Sequence, residues 1–200
     1  MLPTQLTRLG RSIAFWLLLI TLSPVADGEV RAGEPPLPDV TVEPWDSMLG
    51  AFFAPTAIPG NTVHIVVRDT AGAPVANANV TVEVGPAIEL CAGAVLVATT
   101  NGQGAADITA LGGGCQDHVP LSTIIRVSGV TVRSYSDAKS PDNDGSASNL
   151  RVDLADLVAF ADEFGGAAPS ACHDYNNSGT TGLEDLILFA PAFTTGSECN

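Results

Sequence analysis

The sequence predicts a multidomain chain of two fold classes: an all-β sandwich over residues 40–133, then a small α-helical module of two loop–helix repeats over residues 140–200. Three observations carry this expectation. Short runs of β-branched residues alternate with Gly, Pro and Asn turn signals as far as Arg133. The composition then shifts from Val and Thr to Asp, Asn and Gly with Leu and Phe. Within that second block an internal repeat stands out: Asp156-Leu157-Val158-Ala159-Phe160 with Phe164 is matched by Asp185-Leu186-Ile187-Leu188-Phe189 with Phe193.

At the N-terminus, Arg8 and Arg11 precede an apolar run from Ile13 to Leu22. That run is short for a bilayer span and reads as the core of a secretory signal over residues 1–28. Cleavage after Gly28 (Ala26 at minus three) and after Ala32 (Val30 at minus three) both fit, and an uncleaved anchor is the alternative. No second apolar stretch is long enough to span, so the expectation is a secreted chain, extracellular or at the cell surface, with no membrane span after cleavage. Residues 29–39 carry Pro35, Pro36 and Pro38 and read as an extended linker.

From Val40 the pattern is all-β. Val63-His64-Ile65-Val66-Val67 predicts a strand, and Thr70-Ala71-Gly72-Ala73-Pro74 a turn. In Val80-Thr81-Val82-Glu83-Val84 the valines alternate onto one face. Val95-Leu96-Val97-Ala98-Thr99 predicts another strand, and Asn101-Gly102-Gln103-Gly104 a hairpin turn leading back through residues 106–110. Residues 123–127 and 130–133 are two more strands split by Ser128-Gly129. Trp45, Phe52 and Phe53 are expected to pack in the core rather than to form a carbohydrate platform. Residues 134–139 read as a polar connector.

His64 lies in an alternating strand, and His118 sits beside Asp117 in a Gly-rich loop near Cys115. No Gly-x-Ser-x-Gly elbow accompanies them. Residues 40–133 also lack the paired carboxylates of a glycosidase, so the chain is read as non-catalytic. The formal charge of −14, from 22 acidic and 8 basic residues, argues against nucleic acid, because no basic surface is available to neutralise phosphates. From Asp137 onward, 11 acidic residues face only Lys139 and Arg151. The four cysteines suit export. Each pair falls inside one compositional block, so the simplest pairing is Cys91–Cys115 and Cys172–Cys199. A zinc site is the alternative, but neither a CxxC nor a His-x₃₋₅-His spacing is present.

The candidate site is the stretch from Asp174. Oxygen-bearing side chains stand at Asp174, Asn176 and Ser178, Gly179 follows, and Asp185 closes the run. These are positions 1, 3, 5, 6 and 12 of a calcium loop. Ca²⁺ takes about six to eight hard oxygen ligands, and a chain curling around it turns alternate side chains inward. An Asx-rich turn capping a helix is the competing reading. In the first repeat, Asp142, Asp144 and Ser146 open a similar loop, but Ala147 replaces the glycine. Its closing carboxylate is either Asp153, at position 12, or Asp156, which the helix register selects and which implies a three-residue insertion. The phenylalanines four and eight residues after Asp156 and Asp185 lie on one helical face, so the helices are expected to bury them against each other.

Two resemblances follow from these residues. The run Val67-Arg68-Asp69-Thr70-Ala71-Gly72-Ala73-Pro74-Val75-Ala76-Asn77-Ala78-Asn79-Val80-Thr81-Val82, followed by residues 99–106, resembles bacterial immunoglobulin-like (Big or carboxypeptidase-regulatory-like) domains, which implies spacing, adhesion or display. Residues 140–199 resemble dockerin-type modules, type I-like relatives of the EF-hand with two calcium loops each followed by a helix. That resemblance implies Asp174, Asn176, Ser178 and Asp185 as side-chain ligands and Thr180 as the backbone-carbonyl ligand. It also implies a cohesin-like or cell-surface protein partner. Dockerins that bind cellulosomal cohesins usually carry Ser or Thr at loop positions ten and eleven; here those are Leu183 and Glu184 in the second repeat and, if Asp156 is position twelve, Leu154 and Ala155 in the first. The expected function is calcium-ordered docking of the immunoglobulin-like domain. The alternatives are a structural or sorting segment with calcium only stabilising the fold, and an accessory protein of polysaccharide degradation.

Overall fold

Alternation of apolar residues builds the first part of the chain, as strands whose side chains point to opposite faces in turn. The computed structural model describes residues 39–144, 148–164, 166 and 171–200, all within the unit Pro36–Asn200. The expected signal and nearly all of the linker fall outside the described residues. In chain order the elements are β1 (Asp39–Glu43), the single turn α1 (Trp45–Met48), β2 (Ala51–Phe52), β3 (Thr62–Arg68), β4 (Asn79–Val84), β5 (Ile88–Leu90) and β6 (Val97–Thr99). There follow β7 (Ala105–Thr109), β8 (Gly112–Gly114), β9 (Thr123–Val127), β10 (Val130–Tyr135), β11 (Ala138–Lys139), α2 (Leu154–Glu163), a 3₁₀ turn (Ala171–His173) and α3 (Leu183–Thr195).

The described chain is mostly β-sheet with few helices, compatible with a β-sandwich. One antiparallel sheet has the order β1-β3-β7 and the other β10-β9-β4-β6. Val40 and Val42 of β1, Val63, Ile65 and Val67 of β3, Val80 and Val82 of β4, and Ile125 and Val127 of β9 are all buried in one core with Trp45, Phe52 and Phe53. His64 points the other way, as its place between Val63 and Ile65 requires, and its Nδ1 meets Asp107 Oδ1 of β7 at 2.7 Å on the surface. The β9–β10 hairpin turns at Ser128 (φ 50°) and Gly129 (φ 85°), two consecutive positive-φ residues that match the right-handed strand twist.

Three expectations are corrected. Asn101–Gly104 does not join a hairpin: β6 pairs with β4 and β7 with β3, so this turn carries the chain from one sheet to the other. Asn101 Oδ1 holds it by accepting from the N–H groups of Gln103 (2.9 Å) and Ala105 (3.1 Å). The connector is not a linker: Ser134 and Tyr135 complete β10, and Ala138–Lys139 pairs in parallel with β2. The cysteines pair across the two blocks, as Cys91–Cys199 and Cys115–Cys172, not as Cys91–Cys115 and Cys172–Cys199. The physical reason is that the two blocks pack as one compact unit. Their seam runs beside β5 and β8, and both of the first two cysteines follow those paired strands. With sequence separations of 108 and 57 residues, each bridge contributes about 4–5 kcal/mol in the chain-entropy model.

The C-terminal helices are short, 10 and 13 residues, and need tertiary burial to persist. Phe160 of α2 and Phe189 of α3 stack with centroids 4.9 Å apart, as the repeat predicts. The stack continues outward: Tyr175 lies 6.3 Å from Phe160 and 5.2 Å from Phe52 of β2. The helices thus share the core of the sheets. Truncating the stack removes contacts on both sides of the seam. Phe160→Ala is expected to cost about 3–5 kcal/mol in chemical denaturation. Far-UV circular dichroism and tryptophan fluorescence should still report one coincident transition; two separate transitions would show that the halves fold independently.

Candidate cation-binding loops

The second loop runs from Asp174 to Asp185. Asp174 is buried, and its Oδ1 accepts the Ser178 N–H (2.9 Å) while Oδ2 accepts the Gly179 N–H (2.7 Å). Asn176 Oδ1 also accepts from Ser178 N–H, at 3.1 Å. Ser178 Oγ lies 3.4 Å from Asp174 Oδ1 and 3.2 Å from the Thr180 carbonyl oxygen. Gly179, at φ 91°, takes the left-handed turn that closes this curl. Asp185 enters from the first turn of α3. Its Oδ2 accepts the Gly182 N–H (2.8 Å) and its Oδ1 the N–H groups of Tyr175 (2.7 Å) and Asn176 (3.3 Å). Burial raises the Asp185 pKa; those backbone N–H groups pull it back, and the charge of Asp174 adds to the rise.

The first loop repeats the device with an insertion. Asp142 is buried; its Oδ2 accepts from Ser148 Oγ (2.6 Å) and its Oδ1 from the Asn149 N–H (3.2 Å). Burial still raises its pKa against these hydrogen bonds. Asp156 is fully buried, and its Oδ2 accepts the Asp153 N–H at 2.8 Å, the counterpart of the Gly182–Asp185 bond. Asp153 instead caps α2, accepting from the Ala155 N–H at 2.8 Å. The carboxylate turned into the loop is therefore Asp156, and the helix register outweighs the bare count of twelve. Asp144 is half-buried beside Asp142, and Ser146 lies outside the described residues. Among the described residues Asp156 Oδ1 is buried without a partner in good hydrogen-bonding geometry, although the Asn143 N–H lies close enough to favour the ionised carboxylate. Burial pushes the Asp156 pKa up to about 6, opposed by the Asp153 N–H and reinforced by the charge of Asp142.

The donor atoms suit a hard cation. The second loop gathers two carboxylates, an amide oxygen, a hydroxyl and a carbonyl, and the first holds an orphaned carboxylate oxygen that a cation would satisfy. Asp174, Asn176, Ser178, Thr180 and Asp185 would hold one ion, and Asp142, Asp144 and Asp156 another. A bound cation would supply positive charge beside these buried carboxylates.

The β-sheet block contributes residues that spacing alone did not flag. Gly113 of β8 admits Asp142: a Cβ there would stand 1.8 Å from Asp142 Oδ2, and the neighbouring Gly114 N–H donates to the Asp142 carbonyl (2.9 Å). Lys139 is buried, and its Nζ donates to the Asp174 carbonyl (2.7 Å) and to Asn177 Oδ1 (2.6 Å). A third grouping also escaped the sequence reading. Asp117, His118 and Asp137 bring one ligand atom each within 4.8 Å of one another, beside a cavity of about 450 Å³ that Asp117, His118, Lys139 and Asp174 help to line. Burial and a hydrogen bond shared with Asp137 raise the Asp117 pKa. Burial pulls Asp137 the same way, but hydrogen bonds from Ser136 and the His118 N–H hold it below its ordinary value. Lys139 Nζ, 3.5 Å from Asp117 Oδ1, already places a positive charge there. The Asp117-His118 adjacency was visible in the sequence; the approach of Asp137 depends on β11. His173, fully buried, ties the repeats together: Nε2 lies 3.1 Å from the Asn143 carbonyl, and Nδ1 lies 2.8 Å from Glu163 Oε1 outside hydrogen-bonding geometry.

No protein-family model matches the chain, and no curated protein or solved structure matches it significantly. Among the described residues no helix is long and apolar enough to cross a membrane, and two disulfides are compatible with an extracellular or secreted protein.

Because the folded pKa of Asp156, about 6, exceeds its ordinary 3.8, the folded state holds a proton that the unfolded chain has released. Its contribution to stability is full below pH 3.8 and is lost as pH rises through about 6. In chelator, stability should fall by ~3 kcal/mol over that interval on account of this group. Asp156→Asn, which keeps an acceptor for the Asp153 N–H, should flatten the slope measured by urea denaturation at a series of pH values.

Proposed function

We propose that this is a non-catalytic extracellular binding protein in which Ca²⁺ orders two dockerin-like loop–helix repeats that dock an immunoglobulin-like sandwich to a cell-surface or other extracellular protein. The observation that carries the reading is the duplication of one device. In each repeat a buried aspartate opens the loop, and a second reaches back from the third position of the following helix (Asp142 with Asp156, Asp174 with Asp185). The helix faces beside the loops support docking. Leu154 and Val158 of α2 are 67% and 53% exposed, and their counterparts Leu183 and Ile187 of α3 are 66% and 64% exposed. An apolar pair left uncovered at the same place in both repeats suits an apolar groove on a folded protein partner. The recognition positions are Leu183 with Glu184 and Leu154 with Ala155 where cellulosomal dockerins carry Ser or Thr, so a partner other than a cellulosomal cohesin fits better.

Calcium titration of the intact protein by calorimetry tests the cation reading. Saturable binding is expected, at about 10⁻⁴–10⁻³ M or tighter, with Asp174→Ala removing the second site. No heat and no rise in melting temperature at millimolar calcium would rule it out.

The disulfides and the shared aromatic stack favour a second reading, in which the ions only stabilise the fold. A pull-down from the native cell envelope separates the two. Docking predicts a partner retained in calcium, lost in chelator, and lost from Leu154→Asp with Leu183→Asp although calcium binding is unchanged. Equal recovery in all three favours the structural role.

A further inference from the structure

The second loop is held by the sandwich at points that are not ion donors. Lys139 reaches it from β11, a two-residue strand pinned in parallel to β2. Its Nζ donates to the backbone carbonyl of Asp174 (2.7 Å) and to Asn177 Oδ1 (2.6 Å). Asn177 Nδ2 in turn donates to the Met48 carbonyl of α1 (2.9 Å). The side chain of Asn177 is therefore gripped at both ends, and its backbone sits at φ 55°, a left-handed conformation that asparagine tolerates better than most residues. Gly50 forms the floor of this socket, since a Cβ there would stand 2.7 Å from Asn177 Nδ2. The Cys115–Cys172 bridge anchors the chain two residues before Asp174. Position four of the loop and the carbonyl of position one are thus fastened to the sheets, while the side chains of Asp174, Asn176 and Ser178 stay turned into the curl.

We infer that the sandwich holds the second loop in its ion-binding conformation before any ion arrives, with Lys139 and Asn177 as the positioning residues. This rests on reading Asp174–Asp185 as a cation loop. An isolated loop of this kind must order its backbone as it binds, and that entropy weakens the affinity. Here the ordering is done by folding of the sandwich. Calcium binding and seating of the module on the sheets are then linked: whatever loosens the socket weakens the ion, and the bound ion tightens the socket by the same factor.

The test uses the intact protein in chelator, with amide hydrogen exchange followed by NMR. The Ser178 and Gly179 N–H groups, which donate to Asp174, are expected to exchange slowly without any ion. Asn177→Gly permits the same backbone and removes both side-chain bonds; Lys139→Met removes the ammonium. Each should speed exchange at those two amides by about tenfold or more, leave the amides of β3 and β9 protected, and weaken calcium binding by a similar factor. Saturating calcium should restore the lost protection. If the wild-type loop amides exchange fast in chelator, or if Asn177→Gly leaves them slow, the inference is overturned; should Lys139→Met fail to fold, Asn177→Gly decides. Slow exchange that the variants abolish, in a protein that binds no calcium, would instead sink the cation reading and leave the latch standing.

Discussion

Tyr175 is the residue on which the joining of the two halves depends. Its ring lies between Phe52 of the sheets and Phe160 of the first repeat, and Phe160 in turn stacks on Phe189 of the second. Two helices of 10 and 13 residues cannot bury enough apolar surface between themselves to persist alone. Through this column of rings they borrow the core of the sheets. The inter-block disulfides act in the same direction by restricting the unfolded chain. Tyr175 also places a polar atom at the seam, for its hydroxyl is buried with no hydrogen-bond partner among the described residues, and burial together with nearby Asp156 and Asp185 raises its pKa well above the ordinary value.

Once the halves share a core, the acidic loops are pressed against protein. Asp142, Asp156, Asp174 and Asp185 are all buried, and burial raises the pKa of Asp142, Asp156 and Asp185. Much of the compensation comes from backbone N–H groups at the helix starts, where the helix dipole also favours negative charge. What remains uncompensated is local: the bare Asp156 oxygen in the first loop, and the mutual repulsion of Asp174 and Asp185 in the second. The sheets answer the second loop with the Lys139 ammonium and the first with a glycine strand that lets Asp142 approach. A divalent ion in each loop would complete the same electrostatic balance.

The parts of the fold legible in the sequence are those governed by short-range periodicity. The valine alternation of β3 and β4, the Ser128-Gly129 turn and the stacking of Phe160 on Phe189 have the expected outcome, because pleat, turn and helical pitch are properties of a few neighbouring residues; Phe164 departs from it, since α2 ends at Glu163 and leaves that ring exposed. The Asn101 turn was recognised as a turn but not as a crossing between sheets, since partner choice depends on strands far away in the chain. The same holds for the candidate site. The curl of Asp174, Asn176 and Ser178 around Gly179 is local and follows from spacing.

The sequence by itself determined the longer strands, the two C-terminal helices, the acidic loops and the duplication of aspartate, loop and helix, because each is written in residues within one or two turns of one another; the short elements α1, β5, β8 and β11 carry no such local pattern. Only the tertiary structure decided that Asp156 rather than Asp153 faces the first loop, that Cys91 meets Cys199 and Cys115 meets Cys172, and that Lys139 reaches Asp174. Those choices arise from burial across a seam between segments as many as 108 residues apart, and no local pattern encodes which distant surface a short, core-poor module will use to complete itself.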